Sequence, residues 1–308
     1  MMQTMHNPAW PQARPTMSVL IPFLRDSPAD LVASLDEQAR NLGQAIEIVI
    51  FDDGTGNDAM TQALQLLLSG LSTPACLVSS RTNYGRAKAR NLLAQQARGS
   101  VCLYLDADMR MVSQDFVANW LTFHNDHTPH VAFGGFVVQD PVDRAFDVHR
   151  ALATGSDCLT AQERARDPAK HVYTSNLLVR TEVVLKYPFD EAFSGWGWED
   201  VEWALRVSKD NPVSHIDNPA HHSGLDTVEI LMDKFRQSVP NFARILARHP
   251  EAVMQFKAYK VAGWLNRMGM TAATVWISQR FALLAAAPVP ARAFALRLYR
   301  AALYARVI

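Results

Sequence analysis

Val101-Cys102-Leu103-Tyr104-Leu105-Asp106-Ala107-Asp108-Met109 decides the fold of this 308-residue chain. An apolar run rich in β-formers, set off by Gly99-Ser100, reads as a buried strand, and two carboxylates at i and i+2 follow it directly. Ligands of open α/β sheets collect beyond the carboxyl ends of the strands. Carboxylates in that place call for a cationic partner. A hard divalent cation takes oxygen ligands and shares its shell with substrate phosphates. Two side chains do not complete such a shell, so phosphate oxygens, water and a third protein ligand are expected to fill it. Taken alone, the same D-x-D pair also fits a solvated strand-to-loop turn.

On the N-terminal side, strand and helix alternate. Ser18 to Phe23 (SVLIPF) reads as the first strand, Glu47 to Phe51 (EIVIF) as the second, Ala75 to Ser79 as the third and Val101 to Leu105 as the fourth. Between them, Leu31, Leu35, Ala39 and Leu42 have helical spacing, with Asp26 or Ser27 as cap and Pro28 near the first turn. Residues 59–71 and 85–97 also read as helices. Such alternation implies right-handed crossovers and a mostly parallel sheet, an α/β fold. After Asp108 a helix is expected at Phe116 to His124 and a strand at Val131 to Gln139 with Gly134-Gly135 inside it. A polar, irregular stretch over 140–170 precedes a strand at Tyr173 to Val179 and a helix from Thr181. Gly195 to Trp198 reads as a loop and Glu199 to Ser208 as a helix. The expected division is a flexible leader (1–16), a catalytic domain (17–250) and a basic helical extension (251–308).

Lys plus Arg and Asp plus Glu both number 30, so the whole chain carries no strong field, and nucleic acid is not an expected partner. The balance hides an asymmetry. From Glu251 onward, Lys257, Lys260, Arg267, Arg280, Arg292, Arg297, Arg300 and Arg306 face a single acid, so the tail is +7 and the body −7. That segregation points to an anionic surface as the tail's partner. Cys76, Cys102 and Cys158 have no metal-ligand spacing and imply no disulfide framework, which fits a reducing, cytoplasmic setting. The opening MMQTMHNPAWPQARPT lacks the apolar core of a secretory signal.

Three more constellations carry chemistry. Asp52-Asp53-Gly54-Thr55 ends a strand with acids able to accept from a nucleobase or ribose, and equally reads as a D-G turn. In Asn83-Tyr84-Gly85-Arg86-Ala87-Lys88-Ala89-Arg90-Asn91, Arg86 and Arg90 share one helix face at i,i+4. Cations near a helix N-terminus suit a phosphate-bearing ligand; a solvated basic face is the equal alternative. Gly195-Trp196-Gly197-Trp198-Glu199-Asp200 sets an aromatic platform for a sugar beside first-turn carboxylates. The helix dipole keeps such a carboxylate ionised and ready to act as a base. Glu202 and Arg206 read as a surface pair.

Together, SVLIPF, EIVIFDDGT, NYGRAKARN, VCLYLDADM and GWGWEDVEW resemble, over residues 17–245, the inverting family 2 glycosyltransferases of GT-A fold. The last element resembles their galactosyl- and N-acetylgalactosaminyl-transferase branches, including bacterial polysaccharide polymerases. The resemblance implies a Rossmann-like, mostly parallel sheet flanked by helices, a nucleotide-sugar donor and a saccharide or glycolipid acceptor. It implies that Pro22, Asp53, Asn83, Arg86, Arg90, Asp106 and Ala107 line the donor site, with Asp53 on the nucleobase, usually uracil. Asp106 would lie near the ribose and metal, and Asp108 would bind Mn²⁺ or Mg²⁺. Asp200 would be the base, Glu199 would bind acceptor, and Gly195, Trp196, Gly197 and Trp198 would face the sugars. A further metal ligand is expected from His221 or His222, the latter preferred. Met109 stands where the family often has another acid.

In the extension, Met268 to Ala291 carries one charge and is interrupted by Pro288 and Pro290, so no clean membrane span is expected. Arg292, Arg297, Arg300 and Arg306 gather within about half the circumference of one helix. A peripheral helix on the inner face of the plasma membrane is the preferred reading; packing on the core or in a homo-oligomer is the other. Two other functions share parts of this pattern. A nucleotidyltransferase would need a Gly-rich phosphate loop after the first strand, which PFLRDSPAD lacks. A sugar-nucleotide-binding scaffold would not need both a metal dyad and a base.

Overall fold

The computed structural model describes residues 2–140 and 143–308. Its strands are β1 (Gln3–His6), β2 (Met17–Phe23), β3 (Ile46–Asp53), β4 (Ala75–Ser80), β5 (Val101–Leu105), β6 (Met109–Met111), β7 (Val131–Phe133), β8 (Phe136–Val137), β9 (Asn176–Arg180), β10 (Val213–His215) and β11 (Ala220–His222). The helices of the first part are α1 (Ala29–Ala39), α2 (Asp58–Ser69), α3 (Arg86–Gln96), α4 (Phe116–His127), α5 (Asp147–Ser156), α6 (Ala161–Arg164), α7 (Thr181–Lys186) and α8 (Glu199–Val207). They are followed by α9 (Val228–Arg248), α10 (Pro250–Val253), α11 (Lys257–Arg267), α12 (Thr271–Leu283) and α13 (Val289–Tyr304).

Eight strands form one sheet in the order β1-β4-β3-β2-β5-β9-β7-β10, and β6, β11 and β8 form a small second sheet. β4, β3, β2 and β5 run parallel, as the alternation of strand and helix requires. β3 is buried at every position, which suits a strand covered by helices on both faces. One apolar layer packs Leu35, Leu68 and Trp120 of α1, α2 and α4 on one face, and another packs Leu93, Val184 and Trp203 of α3, α7 and α8 on the other. Cys102 is a small core residue, with burial pushing its thiol up to about 12.

Three expectations are corrected. The leader is not loose: β1 pairs antiparallel with β4, and Asn7, Trp10 and Ala13 are buried behind it. Asn7 secures the join, donating to the Thr73 carbonyl at 2.8 Å and accepting from the Ala75 amide at 2.9 Å. The single strand expected over 131–139 is two, because Gly134-Gly135 passes the chain from the large sheet to the small one. A Cβ at Gly134 would lie 2.5 Å from Asn176 Nδ2, and Gly135 has φ +82°. The stretch 140–170 holds α5 and α6 rather than irregular chain alone.

The helices after Pro250 pack on α5 and α9 through two apolar clusters. α13 is largely interior, with Leu296, Tyr299, Leu303 and Tyr304 buried. Its arginines therefore do not form a free stripe. Arg292 Nε donates to the Ala282 carbonyl at 2.9 Å and Arg297 to the Leu152 carbonyl at 3.3 Å, both in the C-terminal halves of neighbouring helices.

Candidate active site

β5 ends at Leu105 and the chain turns at once, the Met109 amide donating to the Asp106 carbonyl at 3.1 Å. β6 then opens the small sheet, where Met109 lies opposite His222 of β11. That register sets His222 Nε2 3.3 Å from Asp108 Oδ2. His221, on the opposite face as the neighbouring strand residue must be, accepts instead from the Gln139 amide at 3.1 Å. Burial pushes the Asp108 carboxyl up, but His222 and Arg86 outweigh it and hold it below the usual range. Burial pushes His222 down, and Asp108 and Asp106 more than restore it.

This pair fits a divalent cation. Asp108 Oδ1 is buried and has no hydrogen-bond partner among the described residues. No group of three or more metal-ligating side chains occurs among those residues, so the other ligands would come from a diphosphate and water. The carboxylate is also sterically confined, since a Cβ at Gly224 would lie 1.9 Å from Asp108 Oδ2. Gly224→Ala is expected to displace that oxygen and weaken Mn²⁺ affinity by ~10-fold or more. Donor titrations at several Mn²⁺ concentrations check it; an unchanged Mn²⁺ requirement would count against Asp108 as a ligand.

Asp106 is held by arginine instead. Its Oδ1 lies 3.2 Å from Arg90, whose other amine nitrogen lies 3.3 Å from Glu199 Oε1 and 3.5 Å from Asp200 Oδ1. The Arg90 side chain is 2 % exposed, so it forms neither a solvated face nor an open phosphate site. A buried guanidinium requires anions around it, and here β5 and α8 supply three. Burial pushes the Arg90 pKa down, yet Asp200, Asp106 and Glu199 raise it beyond its ordinary value. Arg86 remains open, 42 % exposed, 3.5 Å from Glu199 and 3.9 Å from Asp106.

Asp200 accepts from the Thr174 amide and hydroxyl, each at 3.2 Å. Its place in the first turn of α8 favours the carboxylate, but burial is the larger effect. Burial pushes its pKa up, Arg90 opposes, Glu199 adds, and the result is about 6. A base is most effective with a pKa near the working pH. Glu202, expected at the surface, is buried and accepts from Arg206 at 3.1 Å and pairs with His249 at 3.3 Å.

The loop before α8 is strained. Gly195, Gly197 and Trp198 all have positive φ, at 70°, 87° and 75°. A bulky residue in that region persists only where its surroundings hold it. The Trp198 indole donates to Tyr304 Oη at 2.9 Å and stacks on Phe256 at 5.9 Å. Trp196 rests against Phe235 at 5.9 Å. Both tryptophans are half-buried in packing with the C-terminal helices, so the expected open aromatic platform is instead a brace.

At the far rim, Asp53 accepts from the Tyr84 and Gly85 amides at 2.7 and 3.0 Å. It thus ties the loop before α3 to the end of β3, and Asn83 Oδ1 accepts from the same Gly85 amide at 2.9 Å. Burial pushes the Asp53 carboxyl up, partly offset by those amides. Pro22 lies one residue before the end of β2, opposite Phe51, and Ala107 is buried between the two acids.

A profile described as "Glycosyl transferase family 2" matches residues 18–186. The chain belongs to that family. This family 2 glycosyltransferase is 32% identical over 96 residues to an undecaprenyl-phosphate 4-deoxy-4-formamido-L-arabinose transferase of Pseudomonas fluorescens, covering 30% of this chain and 28% of that protein. It therefore spans under a third of that relative's length. Its fold is similar to TarS 1–349 of S. aureus, with TM-score 0.54 and 17% identity over 92% of this chain and 89% of that one. It is also similar to a mannosyltransferase from Pyrobaculum calidifontis in complex with GDP-Man and Mn²⁺, with TM-score 0.59 and 16% identity over 98% and 89%. The GT-A expectation holds, and membership sets aside the nucleotidyltransferase and scaffold readings.

Sequence reasoning missed three neighbours of the site. Thr174 lies 26 residues from the Asp200 it binds, and nothing local marks it. His149 sits in the stretch read as irregular; its Nδ1 accepts from the Asp226 amide at 2.7 Å, and its ring is 6.3 Å from that of His222. Burial lowers its pKa to about 4. Lys234 pairs with Asp226 at 2.5 Å beside it.

Proposed function

We propose that this glycosyltransferase moves a sugar from a UDP-sugar to a hydroxyl of a lipid-linked saccharide, with inversion and with a divalent metal. The observation that carries the reading is a single linked cluster: Arg90 joins Asp200 to Asp106, two residues before the Asp108–His222 pair. In this reading donor diphosphate and acceptor hydroxyl meet on either side of one buried guanidinium.

Asp108 and His222 would hold Mn²⁺ or Mg²⁺, which when bound neutralises charge building on the leaving diphosphate. Arg86, the open cation, faces that same diphosphate. Pro22, Asp53, Asn83 and Ala107 shape the donor rim, Asp53 by fixing the loop that meets the base. The Asp200 carboxylate takes the acceptor O–H proton as that oxygen attacks the anomeric carbon. The bond from that carbon to the phosphate oxygen breaks on the opposite face, and the diphosphate leaves with the electron pair. One such displacement inverts the anomeric centre. Glu199 shares its charge with Arg86 and Arg90 and borders the acceptor. The GWGWED element supports galactosyl or N-acetylgalactosaminyl donors. The undecaprenyl phosphate in the Pseudomonas relative's name supports a lipid-linked acceptor.

A panel of UDP-sugars with and without Mn²⁺, read by UDP release and product anomer, tests this. UDP-galactose or UDP-N-acetylgalactosamine should be turned over with Mn²⁺, and Asp108→Ala should lose that Mn²⁺-supported turnover while staying folded. Wild-type turnover by Asp108→Ala at limiting Mn²⁺, or a retained anomer, would refute the mechanism.

A further inference from the structure

α12 carries one charge, Arg280, in 13 residues. A helix apolar over nearly its whole circumference belongs in an interior or a membrane, yet only one side of α12 is covered. Ser278 and Ala282 are buried, while Trp276 is 62 % exposed and Ile277 57 %. Phe281 and Leu284 continue that outer face, Phe294 of α13 is 60 % exposed, and Trp264 of α11 is 53 % exposed. Ile277, Phe281 and Phe294 also line an open apolar groove of about 380 Å³ between α12 and α13. Isolated apolar residues on a surface are ordinary; five large ones on three adjoining helices, with Leu284 just past the end of α12, mark a contact face.

Charge selects the occupant. The face offers no acid, since residues 252–308 contain none, and its cation is Arg280, which lies over the Trp276 ring at 5.4 Å. A second copy seated on this face by two-fold symmetry would set cation against cation. An anionic bilayer takes the apolar side chains at its acyl boundary and Arg280 among its headgroups, where tryptophan is also favoured. No helix among the described residues is long and apolar enough to cross a membrane, so such contact is in-plane.

We infer that α12, the end of α11 and the start of α13 seat on an anionic bilayer by inserting Trp264, Trp276, Ile277, Phe281, Leu284 and Phe294. The attachment is apolar first, unlike the arginine stripe expected from sequence. It also orients the site. Tyr304 of α13 holds Trp198, and Phe242 and Phe256 complete the same cluster, so the loop that starts α8 is fixed to the membrane-facing helices. This deepens the lipid-linked acceptor reading and rests on it for its purpose.

Flotation of the full chain with phosphatidylcholine and with phosphatidylcholine–phosphatidylglycerol vesicles tests it without any sugar donor, so its failure is separate from that of the enzymatic reading. The full chain should float with the anionic vesicles, less so as salt rises, and brominated acyl chains should quench its tryptophan emission. The triple variant Trp276→Gln, Ile277→Gln, Phe294→Gln should bind ~10-fold or more weakly and keep wild-type turnover on a water-soluble acceptor. No flotation at low salt, unchanged binding by the triple variant, absence of quenching, or a dimer in solution that the triple variant abolishes would each overturn it.

Discussion

Asp200→Asn is expected to bind UDP-sugar as the wild type does and to turn over ~10²–10⁴-fold more slowly, the usual loss on removing a general base. Asp200 touches Thr174 and Arg90, and neither reaches the Asp108–His222 pair. The substitution therefore separates transfer from donor binding, and isothermal titration with donor beside UDP release measures both. In the wild type, the base works only as carboxylate, so turnover should fall as pH drops through about 6. The Asn variant should lack that limb. Stability should respond in the opposite sense. A carboxyl whose folded pKa is raised from 3.8 to about 6 contributes stability below the lower value and loses it as pH rises through the upper one. Melting curves across that window should show the wild type losing stability relative to the variant. Near-normal transfer by Asp200→Asn would remove Asp200 from the mechanism.

The contrast between what sequence showed and what it hid follows contact range. The parallel core was legible because each strand is a short apolar run and each crossover helix has its own face, as Ile46–Asp53 and Ala29–Ala39 illustrate. Asp108 and Asp200 stand out as candidates because acids ending a strand or starting a helix are conspicuous locally. The partners of those acids do not. Arg90 had the sequence of an exposed basic face, and only its enclosure by β5 and α8, 16 and 109 residues away, makes it interior. His222 is preferred to His221 from sequence, but only the pairing of β11 with β6 sets it against Asp108. The tryptophans of the 195–198 loop looked like a platform because the stacking that covers them comes from helices far along the chain. β1 was missed because an exposed four-residue edge strand of mixed polarity carries almost no periodic signal.

Arg90→Ala is expected to cost ~3–5 kcal/mol of unfolding free energy, the usual result of removing one partner from a buried ionic cluster. Asp106, Glu199 and Asp200 would remain together with only the half-exposed Arg86 to balance them. Chemical denaturation reads that loss. Arg90→Lys separates stability from chemistry, because an ammonium keeps the charge but loses the planar fork that meets three carboxylates at once. With Arg90 lowering the Asp200 pKa in the wild type, the lysine variant should show its acidic limb at higher pH. Donor affinity should barely change, since the guanidinium is buried and already held by three carboxylates. A donor-binding role predicts the reverse pattern: weaker UDP-sugar affinity with an unmoved pH limb. Observing that pattern in Arg90→Lys would return Arg90 to the donor site and leave Asp200 to be held by Thr174 alone.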